Sequence, residues 1–277
     1  MGDPTVEPTA RPFGLAPLSV LGLDPVELVH TAANTGFDFV GLRVIPVTDA
    51  EPDLNVLPGS ARLKAVRRAV HQTGLPVFDV EFLALEATTS RETWLPVVEA
   101  GALLGARSVT AAGCDPDRSR LSNTVMELAQ DCRDHGLHLN LEPISYQPLN
   151  SIAAAAALAV DADCWWLPDT LHLNRFGGDT TELVAHAQRV GMLQLCDGPA
   201  QPPASRDALV AESRSHRLPP GAGDFNLRAT VATLAPDLPL SVEVPDPQRR
   251  AALGHAAWAK LLLESMHRVA APQTEES

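Results

Sequence analysis

The sequence predicts a single-domain (β/α)8 TIM barrel, an α/β fold in which eight parallel strands are surrounded by helices. Short apolar runs alternate along the chain with longer stretches rich in alanine and leucine, which is the pattern of strands followed by helices. A glycine often stands just before an apolar run, where a helix that ends in the left-handed conformation would place it. Eight such units fit between residues 11 and 270, which is the usual length of this barrel.

The first five units follow one another without long insertions. A helix is expected to open at Asp24-Pro25, because Asp caps a helix and Pro suits its first turn. Glycine precedes each of the next four strands, at Gly36, Gly74, Gly105 and Gly136. The predicted strands are 13–20, 37–42, 76–82, 108–112 and 138–142, and the later helices lie around 59–73, 91–104, 120–134 and 150–160.

Three further units complete the predicted barrel, with strands at 164–168, 191–195 and 240–244 and helices near 179–189 and 247–269. Residues 197–226 contain five prolines and Gly221-Ala-Gly223 but neither a strand signal nor a strong helix signal. A connection of that length is typical of a lid or a binding loop, so it is predicted to cover the active site. A doubly wound sheet is disfavoured, because no GxGxxG sequence follows the first strand.

Composition limits the classes of partner. The chain of 277 residues is 45% hydrophobic with a mean hydropathy of zero, as in soluble globular proteins. Its net charge of −13 makes it a poor candidate for binding nucleic acid or an anionic membrane. The four cysteines lack zinc-site spacing and the N-terminus lacks a signal-peptide pattern, so reduced thiols and a cytoplasmic location are expected. Residues 1–10 and 271–277 are expected to be disordered tails.

Oxygen-bearing side chains recur at the ends of four consecutive predicted strands. Glu142 and Glu243 end the fifth and eighth strands, Asp169 follows the sixth, and Gln194 lies near the end of the seventh. The first two spacings, 27 and 25 residues, are one strand–helix period each, and the third, 49, is one period plus the predicted lid. The carboxyl ends of barrel strands build active sites, and Mg²⁺ and Mn²⁺ prefer oxygen ligands. The pattern therefore predicts a divalent-metal site, with Co²⁺ or Zn²⁺ as further candidates.

Structural interpretations of the same residues remain open. A single carboxylate at a strand end is often a helix cap or an ion-pair partner. His172 alone would suit a helix start or a core position, and Arg175 alone would suit the surface. Glu81 shares the inward face of the third strand with Asp79, as a neighbour of the ligands or as a polar plug. In the predicted lid, Arg214, His216 and Arg217 would bind an anionic group or simply be solvated.

At these residues the chain resembles the xylose isomerase-like TIM barrel enzymes, the sugar phosphate isomerase/epimerase and AP endonuclease 2-like superfamily. The resemblance is carried by five short motifs in order: Asn140-Leu-Glu142-Pro143, Asp169-Thr-Leu-His172, Gln194-Leu-Cys-Asp197-Gly, Pro220-Gly-Ala-Gly223-Asp224 and Ser241-Val-Glu243. It implies that Glu142, Asp169, Gln194 and Glu243 bind the metal. It also implies that Glu142 and Glu243 act as acid and base, and that His172 contacts a substrate oxygen.

Two positions depart from the sugar epimerases of this family. Many of them have His where this chain has Gln194, and Arg where it has Ala200. Gln at the third ligand is more similar to hydroxypyruvate isomerases and dehydroshikimate dehydratases. The endonuclease branch uses a histidine-rich multi-zinc site and a basic face, which the net charge of −13 disfavours.

The resulting expectation is a metal-dependent isomerase or epimerase that acts on a keto-sugar-like substrate by proton abstraction through a metal-bound enediolate. Its substrate-binding residues would be His172, Arg175, Glu81 and Arg217. One alternative is a metal-dependent lyase, similar to a 3-dehydroshikimate or inosose dehydratase or to a keto-glycoside eliminase. A second alternative is a non-catalytic barrel that binds metal or sugar. The expected partner is a small molecule, and the oligomeric state is left open.

Overall fold

The computed structural model describes residues 11–48, 51 and 54–271. Eight strands form one parallel sheet with the order β6-β5-β4-β3-β2-β1-β8-β7, and helices surround it. The predicted single-domain (β/α)8 barrel is confirmed. The strands are β1 (Phe13–Leu15), β2 (Phe39–Arg43), β3 (Val77–Leu85), β4 (Ser108–Gly113), β5 (His138–Glu142), β6 (Trp165–Trp166), β7 (Leu193–Leu195) and β8 (Leu240–Val242).

The barrel closes between β6 and β7 through isolated contacts rather than a continuous ladder. Within the described residues, this edge is joined by single parallel bridges at Trp166–Val190 and Asp169–Gln194. The Gln194 backbone N–H donates to the Pro168 carbonyl oxygen at 2.9 Å. The opposite edges of both strands are paired normally, β6 with β5 and β7 with β8.

Helix boundaries follow the capping residues. Asp24 accepts the Val26 N–H at the start of the first helix, which ends at Gly36 with φ of 99°. Ser60 accepts the Leu63 N–H at the start of the second. The helices are α1 (Pro25–Thr35), α2 (Ala61–Thr73), α3 (Arg91–Leu104), α4 (Arg118–Asp134), α5 (Ile152–Asp161), α6 (Thr170–Arg175), α7 (Thr180–Ala185), α8 (Arg206–Ser215), α9 (Leu227–Ala232), α10 (Pro247–Leu253) and α11 (His255–Ala270).

Several predicted boundaries were wrong for identifiable reasons. The first strand stops at Leu15 because Pro17 begins a 3-10 turn. The predicted helix 247–269 is two helices, α10 and α11, because Gly254 adopts φ of 78° between them. Short helices α6 and α9 were missed, since six residues give too little periodicity to recognise.

The predicted lid also contains a helix, which corrects the expectation of an irregular segment. Within 197–226, α8 begins after Ser205, whose hydroxyl accepts the Ala208 N–H. Asp197 and Leu218 exchange backbone hydrogen bonds at 2.8 and 2.9 Å and close the segment at its base. The five prolines flank this helix and do not interrupt it.

Two apolar clusters hold the fold. The larger one lies between the sheet and the helices, and the smaller one consists of Phe39, Phe78, Leu167 and Met192 on inward faces of the strands. Gly14 makes this inner packing possible, because a Cβ there would lie 1.9 Å from the Phe39 ring. All four cysteines are free.

Other expectations concern the chain ends and membranes. In the described part of the chain, the helices are too short or too polar to cross a bilayer. The predicted tails at 1–10 and 271–277 lie outside the described residues, apart from Ala271.

Candidate active site

The four predicted metal ligands lie together at the carboxyl end of the barrel. Glu142 is the last residue of β5, Gln194 lies in β7, and Glu243 follows β8 directly. Asp169 follows β6 and caps α6 by accepting the Leu171 N–H at 2.7 Å. All four are buried, and Gln194 Nε2 donates to Glu243 Oε1 at 3.1 Å. The parallel strands therefore bring residues 25 to 101 positions apart into one cluster.

Arg217 crosses this cluster from the lid. Its Nη1 lies 2.5 Å from Asp169 Oδ2, and its Nη2 lies 2.9 Å from Glu243 Oε2. The Nε–H donates to the Ser213 carbonyl oxygen at 2.8 Å. The guanidinium is 1% exposed, so it is a buried cation that balances two of the carboxylates.

His172, in the first turn of α6, faces Glu142. Its Nε2 lies 3.7 Å from Glu142 Oε1. The Ser145 N–H donates to Nδ1 at 3.4 Å, which leaves the proton of the neutral ring on Nε2. Burial lowers the pKa of His172 to about 4, so this ring is neutral at pH 7 and offers an N–H toward the site.

The residues present fit a divalent cation. Glu142, Asp169 and His172 offer ligand atoms within 4.8 Å of one another, and all three are buried. Within the part of the chain that the structure describes, Gln194 Oε1 is buried without a hydrogen-bond partner, which is an unfavourable state for an amide oxygen unless something binds it. Carboxylate and amide oxygens with one imidazole are a donor set that hard and borderline divalent ions accept.

The pKa values of Glu142 and Glu243 are raised, whereas the pKa of Asp169 is lowered. Burial and the neighbouring Glu243 charge raise the pKa of Glu142 well above its usual value. Burial also raises the pKa of Glu243 to about 8, although Arg217 opposes this. Burial alone would raise the pKa of Asp169, but Arg217 and His172 lower it below its usual value. Asp169 is therefore ionised at neutral pH, while Glu142 and Glu243 hold protons more readily.

A cavity of about 340 Å³ opens beside the cluster, a volume typical of small-ligand sites. Glu142, His172, Arg217 and Glu243 line it. The wall also includes Arg43, Glu51, Glu81, Phe82 and Tyr146.

Arg43 and Glu51 were not predicted. Arg43 ends β2 and pairs with Glu51 at 2.8 Å and with Glu81 at 3.1 Å. Arg43 lies two residues after Gly41 in β2, so both share one face of the sheet, and its place at the end of the strand could have indicated a site residue. Glu51 lies in the connection after β2, where no sequence pattern indicated a site residue.

The lid is fixed by polar contacts near the cavity. Arg175 makes two hydrogen bonds to Glu212 of α8, at 2.7 and 2.6 Å, and another to the Pro199 carbonyl oxygen at 2.9 Å. Tyr146 donates to Ser213 Oγ at 3.2 Å. Asp197 accepts backbone N–H groups of Gly198, Gly221 and Phe225, which orders the turn around Gly221-Ala-Gly223.

The predicted substrate-binding residues fall into two groups. Glu81, His172 and Arg217 line the cavity, each already bonded to a protein partner. Arg175 does not line the cavity and holds the lid instead. Arg214 lies exposed at the cavity, while His216 bonds the Ala211 carbonyl oxygen of α8.

Solved structures share this fold at low sequence identity. A xylose isomerase-like TIM barrel/4-hydroxyphenylpyruvate dioxygenase fusion protein has a TM-score of 0.75 at 19% identity, over 94% of this chain. The chain spans 43% of the length of that fusion. The IOLI protein with a bound zinc atom also has a TM-score of 0.75, at 14% identity over 94% of this chain and 98% of that one.

Two further structures have names that state a reaction. D-allulose 3-epimerase from Methylomonas sp. has a TM-score of 0.67 at 15% identity, over 95% of this chain and 99% of that one. The probable 3-DHS dehydratase AsbF from Bacillus anthracis has a TM-score of 0.70 at 13% identity, over 93% and 98%. Identities this low show the fold alone.

Sequence comparison identifies the family. No match is found among curated protein sequences. The model of the xylose isomerase-like TIM barrel matches residues 29–267, which is most of the chain and includes every residue of the cluster above. The chain therefore belongs to the xylose isomerase-like TIM barrel family.

Proposed function

We propose that this protein is a divalent-metal-dependent sugar isomerase or epimerase that acts on a hydroxy-carbonyl compound. The observation that carries the proposal is the convergence of Glu142, Asp169, Gln194 and Glu243 beside a cavity of about 340 Å³. The epimerase and dehydratase among the similar structures, and the zinc bound in another, support the same reaction class. A cytoplasmic location is part of the proposal and agrees with the free cysteines.

The metal-binding residues of the proposal are Glu142, Asp169, Gln194 and Glu243, with Mn²⁺ or Mg²⁺ as the expected ion. His172 lies beside these ligands, and its Nε2 proton suits contact with substrate rather than with the ion. When bound, such an ion supplies Lewis-acid stabilisation of negative charge on substrate oxygens. Asp169 is suited to hold it at neutral pH because its pKa is lowered.

Glu142 and Glu243 are the proposed acid and base. They belong to different strands, and both line the cavity. Their raised pKa values mean that each can accept a proton from a substrate carbon and keep it for return. Return of the proton to the other face or the neighbouring carbon gives an epimer or an isomer.

His172 is proposed to donate from Nε2 to a substrate oxygen, since Ser145 holds the other ring nitrogen. Glu81 and Arg217 are proposed to shape the cavity wall, because each lines it while paired with an opposite charge. Arg175 is proposed to act through the lid that it fixes.

A metal-dependent lyase is the second candidate. Gln194 at the third ligand position resembles dehydroshikimate dehydratases, and the AsbF structure shares the fold. Proton removal is common to both reactions, and loss of a β-hydroxyl in place of proton return distinguishes the lyase.

The test begins with the metal content and melting temperature of the purified protein before and after EDTA. About one ion per chain, removed together with a fall in melting temperature, supports the metal centre. Keto-polyols are then screened in D₂O for deuterium uptake at carbon, with product analysis to separate isomer from dehydrated product. Glu142→Gln and Glu243→Gln should each lower exchange by about 10² to 10⁴-fold without loss of fold. Deuterium exchange that survives in both variants contradicts the acid–base assignment. A protein that holds no metal and turns over none of the compounds contradicts the enzyme proposal and favours a non-catalytic barrel.

A further inference from the structure

Most of the positive charge near the cavity is already paired with carboxylates of the protein. Among the described residues, three arginines line the cavity: Arg43 and Arg217 are buried, and Arg214 is exposed. The same wall carries five carboxyl side chains: Glu51, Glu81, Glu86, Glu142 and Glu243. Whether an anionic substrate can bind depends on whether either buried arginine carries positive charge that no carboxylate balances.

Arg43 is balanced by two carboxylates. Nη1 bonds Glu51 at 2.8 Å and Nη2 bonds Glu81 at 3.1 Å, and the three side chains are 7%, 9% and 3% exposed. Its Nε is buried and has no hydrogen-bond partner among the described residues. Glu51 is itself oriented by the Val47 N–H at 3.2 Å.

Arg217 is equally committed. Its Nε bonds the Ser213 carbonyl oxygen, and Nη1 bonds Asp169 Oδ2 and, at 3.3 Å, the Glu243 carbonyl oxygen. Nη2 bonds Ser213 Oγ at 3.3 Å and pairs with Glu243 Oε2 at 2.9 Å. All three nitrogens of this guanidinium therefore have partners within the protein.

We infer that the site takes an uncharged polyhydroxy carbonyl compound and rejects the corresponding carboxylate or phosphate. This inference rests on the proposed function and names its substrate class. An anionic group would have to displace Glu51, Glu81, Asp169 or Glu243 from an arginine and leave that carboxylate buried without its partner. Arg214 offers little compensation, since an exposed guanidinium is hydrated and screened by salt.

Isothermal titration of the Mn²⁺-loaded protein tests this with matched ligands. The pairs are free ketohexoses against their 6-phosphates and an inosose against 3-dehydroshikimate. The neutral member of a pair should bind about tenfold or more tightly than the anionic member, because like charges across an interface suppress binding. Tighter binding of the anionic member overturns the inference.

Glu51→Gln provides a gain-of-binding test. The Gln side chain has the size of Glu and an oxygen that can accept the Val47 N–H, but it removes one of the negative charges that balance Arg43. Affinity for the anionic ligand should rise about tenfold, and affinity for the neutral ligand should change less than about threefold. Glu86→Gln is the matched control, because Glu86 lines the same cavity and forms no ion pair with an arginine in the described part of the chain. Absence of gain in Glu51→Gln, or equal gain in both variants, overturns the role of the Arg43–Glu51 pair.

The failure of this inference is distinguishable from failure of the proposed function. Mn²⁺ is titrated into the same preparation, and the ligand pairs are also titrated into metal-free protein, so charge preference is measured in either state. Tight Mn²⁺ binding with a preference for anions overturns only the substrate class. A protein that binds no Mn²⁺ loses the proposed function, and its charge preference still supports or overturns the inference.

Discussion

Gln194 presents a buried carbonyl oxygen for which residues 11–48, 51 and 54–271 supply no hydrogen-bond partner, while its amide nitrogen donates to Glu243 at 3.1 Å. The hydrogen bond to Glu243 fixes which end of the amide is the nitrogen and which is the oxygen. An amide in this position is neutral, so it adds a ligand to the centre without adding to the crowded negative charge. That difference separates it from the three carboxylates of the cluster.

Gln194→Leu should therefore weaken Mn²⁺ binding by about tenfold or more, since loss even of a group that only supports a ligand costs about 10- to 100-fold. Isothermal titration measures the change. Ser241→Ala is the matched control, because Ser241 pairs in register with Gln194 and its buried hydroxyl also lacks a partner among the residues described. Equal loss in the two variants would show that packing rather than ligation sets the affinity.

Single residues differ in how readily the sequence reveals them. Glu142, Asp169, Gln194 and Glu243 could be predicted, because strand parity and the regular period place them at one end of the barrel. The Arg43–Glu51 pair could not, since Glu51 lies in an irregular connection whose course no periodicity describes. The two carboxylate contacts of Arg217 likewise depend on how the lid folds back.

Among the elements, α8 determines the position of the lid. Arg175 and Glu212 join it to α6, with side chains that are 1% and 8% exposed. The Arg175 guanidinium also lies 5.0 Å from the centre of the Phe225 ring. Arg217 follows α8 in the chain. The Arg175–Glu212 ion pair therefore also helps to hold the Arg217 guanidinium against Asp169 and Glu243.

Glu212→Ala should lower the free energy of unfolding by about 3 kcal/mol, because it leaves the Arg175 charge buried and unpaired. The double variant Arg175→Ala/Glu212→Ala should lose less than the two single variants combined. Urea unfolding measures both, and KM should rise in the single variants because the lid loosens. Additive losses would mean that the two side chains do not act as a pair.

The same scale shows what periodicity captures. The strand 138–142 and the helix 91–104 were predicted with the bounds that the structure gives them, because each has a clear capping residue or parity. Helix α8 was missed because prolines on both sides dominate the local composition. Its existence depends on the Ser205 cap and on burial of Glu212 and Ser213 against the barrel.

At the scale of the whole molecule, the buried carboxylates make stability depend on pH. Burial raises the pKa of Glu81 to about 7 and of Glu243 to about 8, and that of Glu142 is raised well above its usual value. An acid whose pKa is raised in the folded protein binds more protons there than in the unfolded chain. The contribution of these carboxylates to stability is therefore complete below about pH 4.5 and is lost as the pH rises through the folded pKa. His172, whose pKa falls to about 4, acts in the opposite direction but only below about pH 6.5.

Metal-free protein should therefore become less stable between about pH 6.5 and pH 8, because folded Glu81, Glu142 and Glu243 hold protons there that the unfolded chain has already lost. Melting temperatures across this range measure the effect. Saturating Mn²⁺ should flatten or reverse the trend, because the ion favours the ionised carboxylates. A metal-free protein whose stability rises with pH in this window would contradict the burial of protonated Glu142 and Glu243.

The isolated bridges between β6 and β7 leave the two strands joined by few backbone hydrogen bonds, and Asp169 and Gln194 form one of those bridges themselves. An ion held by these two side chains would tie together the least-paired edge of the barrel. In native-state amide hydrogen exchange, the Gln194 N–H, which donates to the Pro168 carbonyl oxygen across this edge, should exchange more slowly when Mn²⁺ is present, while the β3–β4 ladder should barely respond. Uniform protection of all strands would instead mean that the ion stabilises the molecule only globally. Protection confined to this edge would mean that the barrel opens there first. The metal centre would then also be what keeps β6 and β7 together and the barrel closed.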